Sequence, residues 1–399
     1  MAWPSIVTFA QSKVRLVRGD DMRLLLVSAK PVTFGIGGVQ SLVLSALEVL
    51  SQTYDVTFMS FDSNLNLAKL NEIYGCKILP GSFQLRGIAI PSWLYPSRFD
   101  YLRQHLMMRY VKAIAGEFDL VFSASGEMDL GGRGIQYLSC PAPFLFGKYK
   151  GSLMARLYRR LLFCLSGASF TSMARNYTLV NSEWTGRKSY EAYGIHSKVV
   201  YPPVDVPHPD LSPGAWLKRE EGFVCVGRLA PDKRLELIIS ILKKVREQSG
   251  IDVHLHVVGE WRNEGYRRRI MHMVEHELWV QFEGTVPQSS LLALMQKHKY
   301  GIHAMPNEHF GIGVAQMVLS GCLTFVPNDG GQVEIVQDKR LIYHDETDAV
   351  QKVVSLMLDR PLQLEVIASL KQQPKRFSRE SFRYGIISAL TEFTGDIQK

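Results

Sequence analysis

Apolar residues fall along this chain in short solid runs, separated by stretches in which they recur every three or four positions. The runs read as buried strands and the periodic stretches as helices. "MRLLLVSA" (22–29) is the first such run. The loop "FGIGGVQ" (34–40) follows, then "SLVLSALEVLSQ" (41–52) with helical spacing. Further strands are expected at "YDVTFMSF" (54–61), "FDLVFSAS" (118–125) and "TLVNSEWT" (178–185). A second alternation starts at "GFVCVGRL" (222–229). It predicts helices over 232–247, 263–277, 290–297 and 312–320, and strands at "DVHLHVVG", "VQFEGTV", "YGIHAMP" and "LTFVPND". Strands alternating with helices predict parallel sheets. Between the two series lies "YPPVDVPHPD" (201–210), whose four prolines predict a linker.

The expected architecture is therefore α/β, with two Rossmann-like doubly wound domains facing across a cleft. One domain covers 22–205 and the other 206–378. A last helical segment, 379–394, is expected to pack back on the first domain. Residues 1–21 precede the first strand and read as an N-terminal extension.

Composition narrows the setting. The five cysteines are widely spaced with no CxxC pair, which suggests reduced thiols and a cytosolic protein. No run of eighteen apolar residues occurs, so no membrane span is expected, and the basic residues near the start follow the apolar stretch instead of preceding it, unlike a signal peptide. The net charge of +8 is uneven. Up to Asp205 there are 22 Lys+Arg against 14 Asp+Glu, and beyond it 24 of each. A basic half beside a neutral half suits an anionic partner or, equally, a solvated surface. An aromatic-plus-basic RNA-binding run and zinc-finger spacing are both missing, which argues against nucleic acid.

Three stretches carry candidate chemistry. In "VGRLAPDKR" (226–234), Arg228 lies beyond a strand end, and Lys233 and Arg234 are expected in the first turn of a helix. Cations are unfavourable there unless an anion joins them, so a diphosphate would fit, with exposed solubilising charge as the competing reading. In "NEHFGIGVAQMVLSG" (307–321), Gly311 and Gly313 allow close backbone approach and Glu308 could accept from sugar hydroxyls. A surface acid near a helix cap is the alternative. "FGIGGVQ" is phosphate-loop-like but lacks both the Lys-Ser/Thr of a P-loop and the GxGxxG spacing. The histidines near Glu308, His303 and His309, read as structural or surface residues. Finally, "KYKGSLMARLYRRLLFCL" (148–165) interleaves Lys148, Lys150, Arg156, Arg159 and Arg160 with apolar residues. It reads either as a helix on an anionic membrane surface or as a core helix with one charged face.

Taken together, "GIGGVQ", "LVNSEWT", "YGIHSKVVYPPVD", "VGRLAPDKR" and "NEHFGIGVAQMVLSGC" followed by "NDGGQVEIV" resemble the retaining glycosyltransferases of GT-B fold in the glycogen-synthase-like, family-4-type superfamily. The resemblance runs from Met22 through nearly the whole chain. It implies transfer of a sugar from a nucleoside-diphosphate sugar bound in the C-terminal domain. By resemblance, Arg228 and Lys233 hold the diphosphate and Glu308 holds the transferred sugar. The amides of Phe310 and Gly311 join the phosphate cradle, with Ile312 in the same donor-binding set. The loop at Gly37 and Gly38 covers the donor from the other domain. Two positions depart from the family pattern. Gln316 stands where the second Glu of E-x7-E grips the ribose, and Ser139, in "YLSCP", stands where a histidine usually lies beside the donor sugar. The resemblance implies no cofactor and no metal, and no DxD-like motif argues otherwise. It favours GDP-mannose and a glycan or lipid-linked acceptor, with UDP-glucose as the next donor. It places the protein in the cytoplasm, with a peripheral position at the inner membrane face as an option. An inactive nucleotide- or glycan-binding relative is the alternative that Gln316 and Ser139 raise.

Overall fold

The computed structural model describes residues 22–33, 37–142, 145–147, 151–370 and 374–397. The expected extension over 1–21 lies outside them, as do Lys148, Lys150 and the first three residues of "FGIGGVQ". The chain divides into two compact units, between Pro203 and Val204 and again between Arg379 and Glu380.

In the first unit, seven parallel strands are described: β1 (Arg23–Ser28), β2 (Asp55–Ser60), β3 (Gln84–Gly87), β4 (Leu120–Ser123), β5 (Ile135–Leu138), β6 (Tyr177–Val180) and β7 (Lys198–Val199). They lie in the order β3-β2-β1-β4-β5-β6-β7. Side chains of a strand point alternately to the two faces of its sheet. Leu24 and Leu26 of β1 accordingly join one apolar cluster and Leu25 and Val27 another. A central strand buried on both faces is what makes its sequence a solid apolar run.

The second unit repeats the pattern with β8 (Glu220–Val226), β9 (His254–Val258), β10 (Val280–Gly284), β11 (His298–Ile302), β12 (Leu323–Pro327) and β13 (Ile342–Tyr343), in the order β10-β9-β8-β11-β12-β13. Phe223 of β8 stacks on Tyr300 of β11, ring centroids 4.9 Å apart, and meets Phe325 of β12 at 6.4 Å. In both sheets the order reverses beside the first strand. Crevices for ligands form at the carboxyl ends of the strands on either side of such a reversal; in the second unit those strands are β8 and β11.

Several boundaries differ from expectation for local reasons. The strand expected through 185 stops at Val180. There the Ser182 hydroxyl accepts from the Thr185 amide at 3.0 Å and caps the helix Glu183–Tyr193. The expected linker 201–210 has no regular structure, yet Pro202, Pro203 and Val204 are buried, and the Val204 amide donates to the Phe377 carbonyl at 2.8 Å. The closing helix, Arg379–Ile397, sends Phe382, Ile386, Leu390 and Phe393 into the core around Leu24, Leu47 and Phe58 of the first unit.

Candidate functional site

The site is built where β8 and β11 end. Beyond β8 the chain turns at Gly227, whose φ of +152° favours glycine. A Cβ on Gly259, the residue after β9, would sit 1.8 Å from the Gly227 carbonyl oxygen, so the two strand ends touch backbone to backbone. Pro231–Lys233 then forms a 3-10 turn, Arg234 adopts the left-handed region at φ +52°, and the helix Leu235–Ser249 starts after it. This corrects the expectation that Lys233 and Arg234 occupy the helix's first turn. Pro231 opens a separate turn, closed by Lys233 N–H to the Ala230 carbonyl at 3.0 Å. The Leu235 amide is already satisfied by the Tyr266 hydroxyl at 2.9 Å. Lys233 is therefore aimed by the turn and not by a helix dipole.

Beyond β11, His303 and the loop that ends in the helix Ile312–Leu319 complete the cluster. The Lys233 ammonium bonds the Glu308 carboxylate, with both side chains largely buried. The His303 Nε2 lies 3.4 Å from each of them. Among the described residues its buried Nδ1 has no partner, and a proton carried on Nε2 can be accepted by Glu308. Burial acts to raise the Glu308 carboxyl, but the His303 hydrogen bond and the Lys233 charge outweigh it. The group is held well below the ordinary carboxylate range and is ionised at neutral pH.

Glu308 is fixed from behind by "NDGG". Asn307, in the left-handed region at φ +57°, donates its amide to Asp329 at 3.0 Å, and the Gly331 amide donates to the Glu308 carbonyl at 2.7 Å. Gly330 has φ +84°, and a Cβ there would lie 2.5 Å from that carbonyl oxygen. Glycine is thus required at 330 by both conformation and space.

The other expected positions fall as follows. Arg228 is half exposed, beside the cluster, and pairs with Asp232 at 3.3 Å. Phe310 is buried against Phe377, and Gly311, at φ +100°, caps the helix that Ile312 opens. Gly313 lets this helix approach β8, a Cβ there lying 3.1 Å from the Val226 carbonyl oxygen. Gln316 is half-buried in the second turn of the same helix. In the first unit, Gly37 is extended at φ −172° and precedes the helix that Gly38 opens. Ser139 follows β5, its carbonyl accepting from Asn181 Nδ2 at 2.9 Å. His303 was set aside by the sequence reading. Its position just past the last residue of "YGI", at the carboxyl end of a strand beside the sheet's reversal, was the available signal.

Residues 213–373, nearly all of the second unit, match the family described as glycosyl transferases group 1. The chain is 26% identical over 239 residues to the human GDP-Man:Man(3)GlcNAc(2)-PP-Dol alpha-1,2-mannosyltransferase, covering 53% of this chain and 47% of that one. It is 24% identical over 277 residues to the Caenorhabditis elegans protein of the same name, covering 61% and 54%. The chain spans about half the length of the curated relatives it matches. Among solved structures, Anabaena HepE in complex with UDP and glucose superposes with a TM-score of 0.66 at 15% identity, covering 93% of this chain and all of that one. Sucrose-phosphate synthase from Thermosynechococcus elongatus gives 0.69 at 13% identity, covering 94% and 100%. The fold is that of the two-unit parallel α/β glycosyltransferases. Family match, curated relatives and structural neighbours all point the same way, toward glycosyltransferases of this two-unit fold.

Proposed function

We propose that this protein is a retaining hexosyltransferase that moves mannose from GDP-mannose to a glycan carried on a lipid diphosphate. The observation that carries the reading is the buried Lys233–Glu308–His303 cluster at the reversal point of the donor-type sheet. Its chemistry suits a nucleotide sugar. Ionised Glu308 accepts hydrogen bonds from sugar hydroxyls. Lys233 and the more exposed Arg228 stabilise the charge that grows on the departing diphosphate, an electrostatic contribution that strengthens in the transition state. These cations take the part a divalent ion plays elsewhere, so transfer needs no metal. Curated relatives named for GDP-mannose support the donor and the lipid-diphosphate acceptor.

A membrane-surface acceptor also suits the helix Leu153–Ser166. Leu153, Met154, Leu157 and Leu161 of this helix are exposed beside the exposed Arg156 and Arg160. A basic amphipathic helix of this kind binds an anionic bilayer surface. Among the described residues no helix is long and apolar enough to cross a membrane.

The test is nucleotide release from a panel containing GDP-mannose, UDP-glucose and GDP-glucose, with and without a lipid-diphosphate glycan, in buffer free of Mg²⁺ and Mn²⁺. GDP-mannose is expected to be consumed fastest and without added metal. Preference for UDP-glucose overturns the donor. Gln316 can accept one ribose hydrogen bond and donate another, exchanging a charged for a neutral contact. Gln316→Glu is therefore expected to lower the donor KM several-fold, on the order of tenfold for 1.4 kcal/mol, at nearly constant kcat. A natural chain that turns over nothing until Gln316→Glu is made would be an inactive relative.

A further inference from the structure

The second sheet carries another cluster at its opposite end. The Lys233–Glu308 site lies beyond the carboxyl ends of β8 and β11. At the amino ends of the same strands, Glu220 opens β8, His254 opens β9 and His298 opens β11. His254 and His256 are two apart on β9 and so share a face of the sheet. Register places His254 opposite Gly222, and His298 opposite Glu220. Gly222 makes the room: a Cβ there would lie 2.3 Å from His254 Nε2 and 2.5 Å from His298 Cδ2. One ligand atom each of His254, His256 and His298 lies within 4.8 Å of the others, the one such group among the described residues.

The hydrogen bonds around the rings fix which nitrogens are free. His298 Nδ1 lies 2.7 Å from the Leu294 carbonyl oxygen, which can only accept, so Nδ1 carries the proton and Nε2 presents a lone pair. His256 Nδ1 is held in the same way by Glu283 at 2.7 Å. An imidazole whose outer nitrogen donates to a carbonyl or carboxylate is the arrangement that orients histidines toward a metal. The His298 lone pair faces His254 Nε2 at 2.9 Å and Glu220 Oε2 at 3.3 Å, and that oxygen is 3.5 Å from His254 Nε2. A bare nitrogen and a carboxylate oxygen at such a distance repel unless a cation, or a proton on His254 Nε2, lies between them. Bonds of about 2.0–2.2 Å in a tetrahedral zinc site put neighbouring ligand atoms roughly 3.3–3.5 Å apart; Glu220 Oε2 stands at that spacing from His298 and His254, those two rings would part slightly from 2.9 Å, and His256 would close in from within 4.8 Å. The other Glu220 oxygen is steadied by Lys297 at 2.9 Å. His298 is fully buried, while His254 and Glu220 reach solvent and give an entry path.

We propose that His254, His256, His298 and Glu220 bind one Zn²⁺ ion. The ion clips together the amino ends of β8, β9 and β11, with Glu283 of β10 bracing it through His256. It is structural, and it lies at the other end of the sheet from the proposed transfer site.

The experiment uses the untagged full-length chain, stripped with a chelator and titrated first with Co²⁺ alone. The expected result is one equivalent bound, with the intense visible absorption of tetrahedral cobalt. One equivalent of Zn²⁺ should bleach that absorption and raise the Tm by several degrees. His254→Gln and His256→Gln should each weaken binding by at least about a hundredfold while leaving the circular dichroism unchanged. If either variant fails to fold, the wild-type titration still decides. GDP release from GDP-mannose, measured below the Tm, is expected to be equal in stripped and Zn²⁺-loaded protein, so a failure of the site and a failure of the transferase reading are told apart. Wild-type protein that shows no cobalt absorption and no Tm response to Zn²⁺ overturns the proposal. So does stoichiometric binding that survives His254→Gln and His256→Gln together. Either result would leave a proton shared between His254 and His298 as the account of the cluster.

Discussion

Lys233 and Arg228 are both assigned to the leaving diphosphate, yet their surroundings give them different second roles. Lys233 is largely buried and is the countercharge of a buried carboxylate; Arg228 is half exposed and, among the described residues, paired only with Asp232. Breaking a buried ion pair from one side strands the other charge, at about 3 kcal/mol or more, whereas an exposed pair contributes little. Arg228→Ala is therefore expected to lower kcat/KM by on the order of 10²-fold, about 2.7 kcal/mol, with an unchanged urea midpoint. Lys233→Met should lose activity to a similar extent and lose stability as well. The pH dependence follows from the sign of the Glu308 shift. Its native carboxyl titrates below its unfolded value of about 4.3, so the native state binds fewer protons here. The stability this provides is complete above that unfolded value and is lost as pH falls toward the native one. Without Lys233, burial acts with less opposition and the carboxyl rises. The stability gap between wild type and Lys233→Met, read by urea unfolding, is expected to be widest at about pH 7 and to narrow below about pH 4. A gap independent of pH would remove Lys233 as the partner that keeps Glu308 ionised.

At the scale of elements, the helix Leu153–Ser166 shows how the structure refines a pattern. Its sequence suits a membrane-facing helix and a core helix equally. In the structure only Leu162 and Ser166 are buried, while Leu153 and Met154 are 72% and 73% exposed. Its arginines also separate. Arg159 turns inward, donating to the Leu145 and Gly147 carbonyls at 3.2 and 3.0 Å and lying over the Phe163 ring, whereas Arg156 and Arg160 are exposed. Reversing Arg156 and Arg160 to Glu is expected to weaken binding to anionic vesicles at least about tenfold, at roughly 1 kcal/mol per basic residue, and to leave the fold intact. Arg159→Glu should instead destabilise the fold. Vesicle sedimentation at two salt concentrations checks both; partitioning that ignores salt and charge reversal would remove the membrane from the reading. The same scale shows what the sequence could reveal. Long periodic stretches such as Leu235–Ser249 and solid runs such as Arg23–Ser28 were legible, because burial on one stripe or on both faces writes itself into the pattern. β5 was not. Its four residues, Ile135–Leu138, lie between "GGRG" and "SCPAP", too short for alternation to show, although all four are buried mid-sheet. The helix start after Lys233 was also misplaced, because a proline-led 3-10 turn and an α-helical first turn look alike until Arg234 turns left-handed. The cluster at His254, His256 and His298 was out of reach for another reason. It is assembled by strand register, which brings together residues far apart in sequence.

For the whole molecule, the decisive feature is that the chain returns to its first unit after completing the second. The Ile386 and Leu390 side chains, at 0% and 1% exposure, complete an apolar cluster that holds Leu24, Leu47, Phe58 and Phe122. Gly385 is needed for the fit, since a Cβ there would lie 2.8 Å from Val200. Lys198 and Tyr177 add polar anchors by bonding Glu392. Burial of this kind means that the stability of the first unit depends on residues nearly two hundred positions beyond the rest of it. Ile386→Ala removes three carbons from a site with little freedom to collapse, and deletions of that type cost roughly 2–5 kcal/mol. The loss is expected to appear as faster amide hydrogen exchange in β1, β2, β4 and the helix Gly38–Ser51, whose side chains share that cluster, while β8, β9, β11 and β12 keep their protection. Exchange-rate mapping of the variant by mass spectrometry reads both sets at once. Loosening confined to the helix Arg379–Ile397 would mean the segment rides on the first unit without stabilising it. Loosening that begins in β8–β12 would place its contribution in the second unit, against the packing seen here.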